Sequence, residues 1–176
     1  MTRSNARELA VHLIYSRSFT GEEPGSTIET RLQREYYAAL SQENEIYLER
    51  PSRKQLSYID TVVVGTANRA QELDSTIARY SIGWDLGRIS RLTRAVLQLA
   101  LFECQYVEDV PAGVAVNEAV SLAKKYDGDD AGAFVNGILR AFLRAAQAQK
   151  DTANAEPSEA VTFAESAAPE TEEVAP

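Results

Sequence analysis

The sequence is poor in the residues from which catalytic and metal sites are most often built. It has one cysteine, one histidine, one methionine and one tryptophan in 176 residues. A single cysteine excludes an internal disulfide and any site that needs several thiolates. A single histidine, His12, leaves little material for a zinc site or a nucleophilic triad. There is also no phosphate-binding glycine loop and no GxSxG, HExxH or CxxC motif, so we expect neither an enzyme nor a bound cofactor.

Long apolar runs are missing as well. No run approaches the roughly 20 residues that a membrane helix needs. The first residues lead directly into an amphipathic pattern instead of a signal peptide. We therefore expect a cytoplasmic protein with no membrane partner. With 44% hydrophobic residues, the chain can form one domain with its own core but not two large ones.

Basic residues are absent from residues 151–176. The formal charge of −8 argues against a nucleic-acid partner. However, seven of the 26 acidic residues and none of the 18 basic ones lie in 151–176, which leaves residues 1–150 with a net charge of −1. Because this proline-containing acidic tail can bury little apolar surface, we predict that it is disordered. It would serve either as a solvating tail or as a competitor of nucleic acid for a basic patch.

Residues 1–150 show helical spacing of apolar residues and no convincing strand alternation. This pattern predicts one all-α domain of six or seven helices. We predict helices over 3–19, from the capping box Ser52–Gln55 through Tyr80, from the cap Ser90 through Glu103, from Pro111 through Lys124, and over 131–149 behind the cap Asp130. Gly83 is expected to end the second of these, with Trp84 beside it filling the core.

Residues 22–55 are polar and harder to interpret. A capping-box spacing at Ser26–Glu29 predicts a polar helix that Pro51 ends. The same composition fits a long mobile excursion.

Several single residues could have either a structural or a functional role. Cys104 fits a small hydrophobic residue, and Glu118 and Asp60 fit helix-surface or capping acids. Asn117 and Asn136 lie among apolar neighbours and would be either interhelical tethers or direct contacts to a ligand. Gly137, inside a helix, costs ~1 kcal/mol relative to alanine, which suggests close approach of another backbone.

The first helix carries the only suggestion of a nucleic-acid site. Arg3 and Arg7 lie one turn apart on the rim of its apolar stripe, where two arginines either meet phosphates or form a solvated rim. Tyr15 and Phe134 could stack on bases if they are exposed.

Two long blocks carry a resemblance to a known family. Residues 110–126 read VPAGVAVNEAVSLAKKY and residues 134–139 read FVNGIL. Together with RAVLQLALFE at 94–103 and ARELA…LIY at 6–15, they resemble the NusB family of transcription antitermination factors. The similarity covers about residues 3–20 and 56–145.

The resemblance implies two small helical bundles packed together, and a function in ribosomal RNA transcription. It implies binding of single-stranded boxA RNA together with NusE, a ribosomal protein, within the antitermination complex of RNA polymerase. Carried over to matching positions, the RNA site would include Arg3, Arg7, Tyr15, Asp130 and Phe134. The NusE surface would lie near residues 85–98, with Arg88, Arg91 and Thr93, the last standing where the family often has an acid.

Two alternatives stay open. The domain resembles the RNA-binding module of some rRNA methyltransferases, although no methyl-donor-binding domain follows residue 150. It could also be a helical scaffold that binds only proteins.

Overall fold

The computed structural model describes residues 1–83 and 89–155, and within them it is entirely helical. Its α-helices are α1 (Arg3–Thr20), α2 (Pro24–Arg31), α3 (Arg34–Leu40), α4 (Arg53–Asn68), α5 (Ala70–Tyr80), α6 (Arg91–Tyr106), α7 (Ala112–Asp127) and α8 (Asp129–Ala155), with a 3₁₀ turn at Glu45–Tyr47. The predicted all-α class is confirmed, with more helices than expected. Within the described ranges, no helix is both long enough and apolar enough to cross a membrane.

Helix α6 lies at the centre of the molecule. It packs against α1 and α4, which contact each other, and against α5, α7 and α8, of which α8 contacts both of the others. Residues Ala95–Leu97 and Leu99–Phe102 are all buried, so α6 offers apolar contacts around most of its circumference. This explains why it is the most apolar stretch of the sequence. It joins the two groups of helices that the two-bundle prediction requires.

Two predicted helix starts are confirmed by their hydrogen bonds. Ser52 and Gln55 form a reciprocal capping box at the start of α4. The Ser90 hydroxyl accepts a hydrogen bond from the Thr93 backbone N–H, 2.9 Å away, at the start of α6. The predicted start of α8 is wrong by two residues, because the helix begins at Asp129 and Asp130 lies in its first turn instead of capping it.

The single helix predicted through Tyr80 is in fact two. α4 ends at Asn68 and α5 begins at Ala70, with Arg69 in a non-helical conformation (φ −115°, ψ 17°) between them. Both helices pack against α6. The apolar period therefore continues across a one-residue break between the two helices.

The single polar helix predicted within residues 22–55 is wrong. α2 begins at Pro24, ahead of the presumed cap Ser26, because proline suits the first helical turn. The segment packs on the domain instead of forming an excursion. Tyr37 is 2% exposed, and its hydroxyl donates to the Glu49 carbonyl at 2.9 Å.

The predicted acidic tail and Trp84 fall largely outside the described residues. Residues 151–155 of that tail continue α8.

Candidate nucleic-acid interface

The Arg7 guanidinium lies inside the protein. It is 3% exposed, and it contacts the carboxylate of Glu103 with Nε–Oε2 and Nη2–Oε1 distances of 2.9 Å. Its Nη1 is 3.2 Å from Glu118, and the Tyr58 hydroxyl donates to Glu103 at 2.7 Å. Burial by itself lowers the pKa of Arg7, but the hydrogen bonds and charge of Glu103 outweigh it and raise that pKa.

This network corrects the expectation that Arg7 lies on an exposed rim. The first helix presents Arg7 to α6 and α7, where its charge neutralises acids from both helices. Glu118, expected to be a surface or capping acid, is part of the same network. Arg7 therefore positions α1 and is not available to a phosphate.

Arg3 lies at the opposite end of α1 from Tyr15. Its guanidinium carbon is 4.0 Å from the centre of the Tyr58 ring, and Nη2 is 3.6 Å from Asp109. The side chain is 36% exposed. Twelve residues separate Arg3 from Tyr15, which is about 18 Å along a helix axis. The two side chains therefore cannot belong to one compact groove.

The end of α1 carries a pair of aromatic rings, of which Phe19 is exposed and Tyr15 is partly buried against the core. The rings of Tyr15 and Phe19 meet edge to face with centroids 5.0 Å apart, and Phe19 is 58% exposed. From α6, Arg91 lies over Phe19 with 4.5 Å between its guanidinium carbon and the ring centre, and it donates to the Ser18 carbonyl at 2.9 Å. This is the cationic and aromatic combination that the sequence suggested, but Arg91 and Phe19 supply it instead of Arg7.

A pocket beside the first turn of α6 brings Asp130 and Phe134 together. It has a volume of about 330 Å³. It is lined by Ile89, Ser90, Thr93, Asp127, Asp130, Ala131 and Phe134. The hydroxyls of Ser90 and Thr93 both donate to Asp127, which ties α6 to the end of α7. Asp130 is exposed and Phe134 is partly buried.

We define the junction surface as Tyr15, Phe19, Arg91, Asp130 and Phe134. These residues lie at the end of α1, the start of α6 and the start of α8. Adjacent residues Ser90 and Arg91 connect the aromatic pair to the pocket, since Ser90 lines the pocket and Arg91 covers Phe19.

The residues predicted to bind the protein partner differ in their exposure to solvent. Arg91 is exposed. Thr93 is 3% exposed and its hydroxyl is committed to Asp127. Arg88 lies outside the described residues.

Asn117 and Asn136 do not form the predicted interhelical tethers, and Gly137 shows no close approach of another helix, whereas direct contact of these residues with a ligand or a partner's backbone stays a prediction. Asn117 is exposed, and the Asn136 side chain accepts a hydrogen bond from Arg140 of its own helix, at 3.0 Å, instead of bridging to another helix. A Cβ on Gly137 would meet no atom within 4 Å. Close approaches occur instead at Gly65, where a Cβ would lie 2.1 Å from the Phe102 ring, and at Gly132 of α8, where it would lie 2.3 Å from the Lys124 side chain.

His12 bridges two tyrosines and does not resemble a metal ligand. Its Nδ1 and Nε2 lie 2.8 Å from the hydroxyls of Tyr47 and Tyr126, and Tyr126 in turn donates to Glu8. Within the described part of the chain, no cluster of histidine, cysteine or acidic side chains could hold a metal.

Burial raises the pKa of the Cys104 thiol to about 11, as expected for a structural cysteine. Asp60 is exposed.

Sequence reasoning missed Phe19 and the position of Arg91 beside it. Phe19 lies near the end of α1, after the apolar period has stopped. Its one available signal was the spacing of four from Tyr15, which places two aromatic rings on the same helix face.

Comparison with known proteins agrees with the resemblance seen in the sequence. The NusB family model matches residues 4–144. The chain is 38% identical to a transcription antitermination protein NusB of Acetivibrio thermocellus over 139 residues, which is 79% of this chain and 86% of the relative. It is 33% identical over 144 residues to a NusB of Thermoanaerobacter sp., covering 82% of this chain and 91% of that protein.

Solved structures show the same fold. T. maritima NusB superimposes with a TM-score of 0.61 and 27% identity, over 80% of this chain and 89% of that one. A chain from a crystal structure of the antitermination factors NusB and NusE with dsRNA has a TM-score of 0.64 and 25% identity, over 81% and 96%. This chain belongs to the NusB family of transcription antitermination factors.

Proposed function

We propose that this protein is a non-catalytic RNA-binding antitermination factor that acts in the cytoplasm on ribosomal RNA transcription. It would bind boxA RNA together with NusE, and the pair would join the antitermination complex of RNA polymerase. The observation that carries the proposal is the family match over 4–144 to proteins named for antitermination. No cofactor is required by this function.

The junction surface supports the RNA part of the proposal. Unpaired bases can stack on Tyr15 and Phe19, and Arg91 beside them supplies positive charge for the backbone. Asp130 and Phe134 offer an acceptor and an aromatic edge at the neighbouring pocket. Because stacking and hydrogen bonding to base edges need splayed bases, this surface favours single-stranded over duplex RNA.

In this proposal, Arg3 contributes to binding only when the RNA is long enough to extend along α1. Its position at the far end of α1 means that a strand must run along the helix to reach both Arg3 and the junction surface.

NusE is proposed to bind near residues 85–98, the segment to which the family resemblance assigns the partner surface. Since few cations surround the RNA surface, RNA alone should bind modestly, and contacts from NusE should strengthen binding. The two ligands would then be positively coupled, each raising the affinity of the other by the same factor.

Fluorescence anisotropy tests this function. Labelled boxA RNA and a scrambled RNA of equal length are titrated with the protein, with and without NusE, and boxA duplex serves as a further arm. We expect preference for single-stranded boxA and a tighter complex with NusE. Binding of NusE that no RNA alters, with no boxA preference, would instead support the protein-only scaffold.

A further inference from the structure

We propose that a second pocket, between α1, α6 and the α4–α5 junction, holds a phosphate of the bound RNA strand. The inference rests on the proposed function and adds a site to it. The pocket has a volume of about 340 Å³, and its lining includes Arg17, Arg91 and Arg94 but no acidic residue. It places three arginines around one cavity of a domain whose residues 1–150 carry a net charge of −1.

The charge of Arg94 is already neutralised. Its Nε lies 2.8 Å from Asp74, its Nη2 bonds the other oxygen of that carboxylate, and Gln98 donates to Asp74 at 2.8 Å as well. Arg94 therefore forms a wall of the pocket and holds α5 against α6.

Arg17 and Arg91 keep their charge available. Arg17 Nε donates to the Glu22 carbonyl at 2.7 Å, and Arg91 donates to the Ser18 carbonyl at 2.9 Å. Among the described residues, neither guanidinium lies within 4 Å of a carboxylate. Each of these hydrogen bonds uses one N–H group of the arginine and fixes the position of the guanidinium. Most of the five N–H groups of each arginine therefore stay available to a ligand. Two such groups suit the bidentate recognition of phosphate oxygens.

The aromatic edge of this pocket favours RNA over an acidic protein segment. Arg91 lies on the exposed ring of Phe19, which in turn contacts Tyr15. A nucleotide can therefore place its phosphate between the arginines and its base on the neighbouring ring. An acidic peptide would use the arginines, but its carboxylates alone would leave the exposed aromatic face uncovered.

The pocket also continues the path of the junction surface. Ser90 and Thr93 line the pocket at Phe134, whereas Arg91 and Arg94 line this one, so the two pockets lie on neighbouring faces of the first turns of α6. A strand that crosses the start of α6 passes from one to the other.

The test uses the full chain, labelled boxA RNA and the double variant Arg17→Gln/Arg91→Gln. Arg140→Gln is the matched control, because Arg140 is an exposed arginine of α8 outside both pockets. At low salt, we expect RNA affinity to fall about tenfold for each of the two arginines replaced. The slope of log K against log salt should become shallower by about 0.7 for each phosphate that the variant no longer binds. The control should match the wild type in affinity and slope.

The outcomes separate this inference from the proposed function. If the wild type binds boxA and the double variant binds it with equal affinity and slope, the phosphate subsite is refuted while the function stands. If the wild type binds no RNA, the function is refuted and the subsite with it. If the double variant fails to bind NusE but still binds RNA, the pocket is a protein-binding site and the inference is overturned. Circular dichroism of both variants, and an Arg91→Lys variant with intermediate affinity, exclude a folding defect as the cause.

Discussion

Arg7 of α1 and Glu103 of α6 form a bidentate ion pair in the interior, with Nε–Oε2 and Nη2–Oε1 distances of 2.9 Å. Tyr58 of α4 also donates to the same carboxylate, so residues of α1 and α4 together satisfy the buried charge of Glu103. The pair fixes α1 against the central helix. The arginine that the family resemblance assigned to RNA therefore has a structural position in this chain.

Replacing Arg7 should destabilise the fold. In Arg7→Met, the carboxylate of Glu103 stays buried without its cation, and breaking one side of a buried ion pair costs about 3–5 kcal/mol. Urea unfolding followed by circular dichroism measures this destabilisation.

Two further variants control this prediction. Arg3→Gln removes an arginine whose partner Asp109 is exposed, so it should cost less than about 1 kcal/mol. The double variant Arg7→Met/Glu103→Leu should recover part of the stability by removing the unpaired charge. An Arg7→Met protein as stable as the wild type would show that the ion pair is not formed in solution.

His12 should make stability depend on pH. Burial lowers its pKa below the unfolded value of 6.5, Glu8 opposes that shift, and Lys125 adds to it. Between the two pKa values the unfolded chain binds more protons, so the free energy of unfolding should fall as pH decreases below about 6.5 and level off below the folded pKa. Urea midpoints across this range should show a smaller decline for His12→Gln than for the wild type. Equal slopes for the two proteins would contradict a neutral His12.

Two helical glycines should respond in opposite directions to alanine. A Cβ at Gly65 would overlap the Phe102 ring, so Gly65→Ala should destabilise by about 1–3 kcal/mol. Gly137 has open space around it and a helical backbone, so Gly137→Ala should stabilise by about 0.5–1 kcal/mol. Thermal unfolding of both variants is the measurement, and each serves as the control of the other.

Cys104 should react slowly while the protein is folded. With its pKa raised to about 11 by burial and by the charge of Glu103, the thiolate fraction at pH 8 is small. Mass spectrometry should detect little alkylation by iodoacetamide in the native protein and rapid alkylation in urea. Equally fast reaction in both conditions would contradict this environment.

The sequence predicts the parts of the fold that depend on local signals. The caps at Ser52 and Ser90 and the apolar α6 follow from side-chain chemistry and period alone. The break at Arg69 could not be predicted in this way, because the apolar period runs through it without interruption.

The candidate site was predicted less well for a related reason. Arg3 and Arg7 share one sequence environment, and only the tertiary partners Glu103 and Glu118 draw Arg7 inside. Pairing with a residue 96 positions away leaves no mark on local spacing. Phe19 and Arg91 likewise become neighbours only when α1 and α6 pack.

The location of the RNA is the central claim, and photo-crosslinking tests it most directly. BoxA RNA with 5-bromouridine is irradiated in complex with the full chain and NusE, and the crosslinked peptides are sequenced by mass spectrometry. We predict crosslinks at Tyr15, Phe19 or Phe134. Crosslinks confined to the opposite end of α1, around Arg3 and Tyr58, would contradict this location.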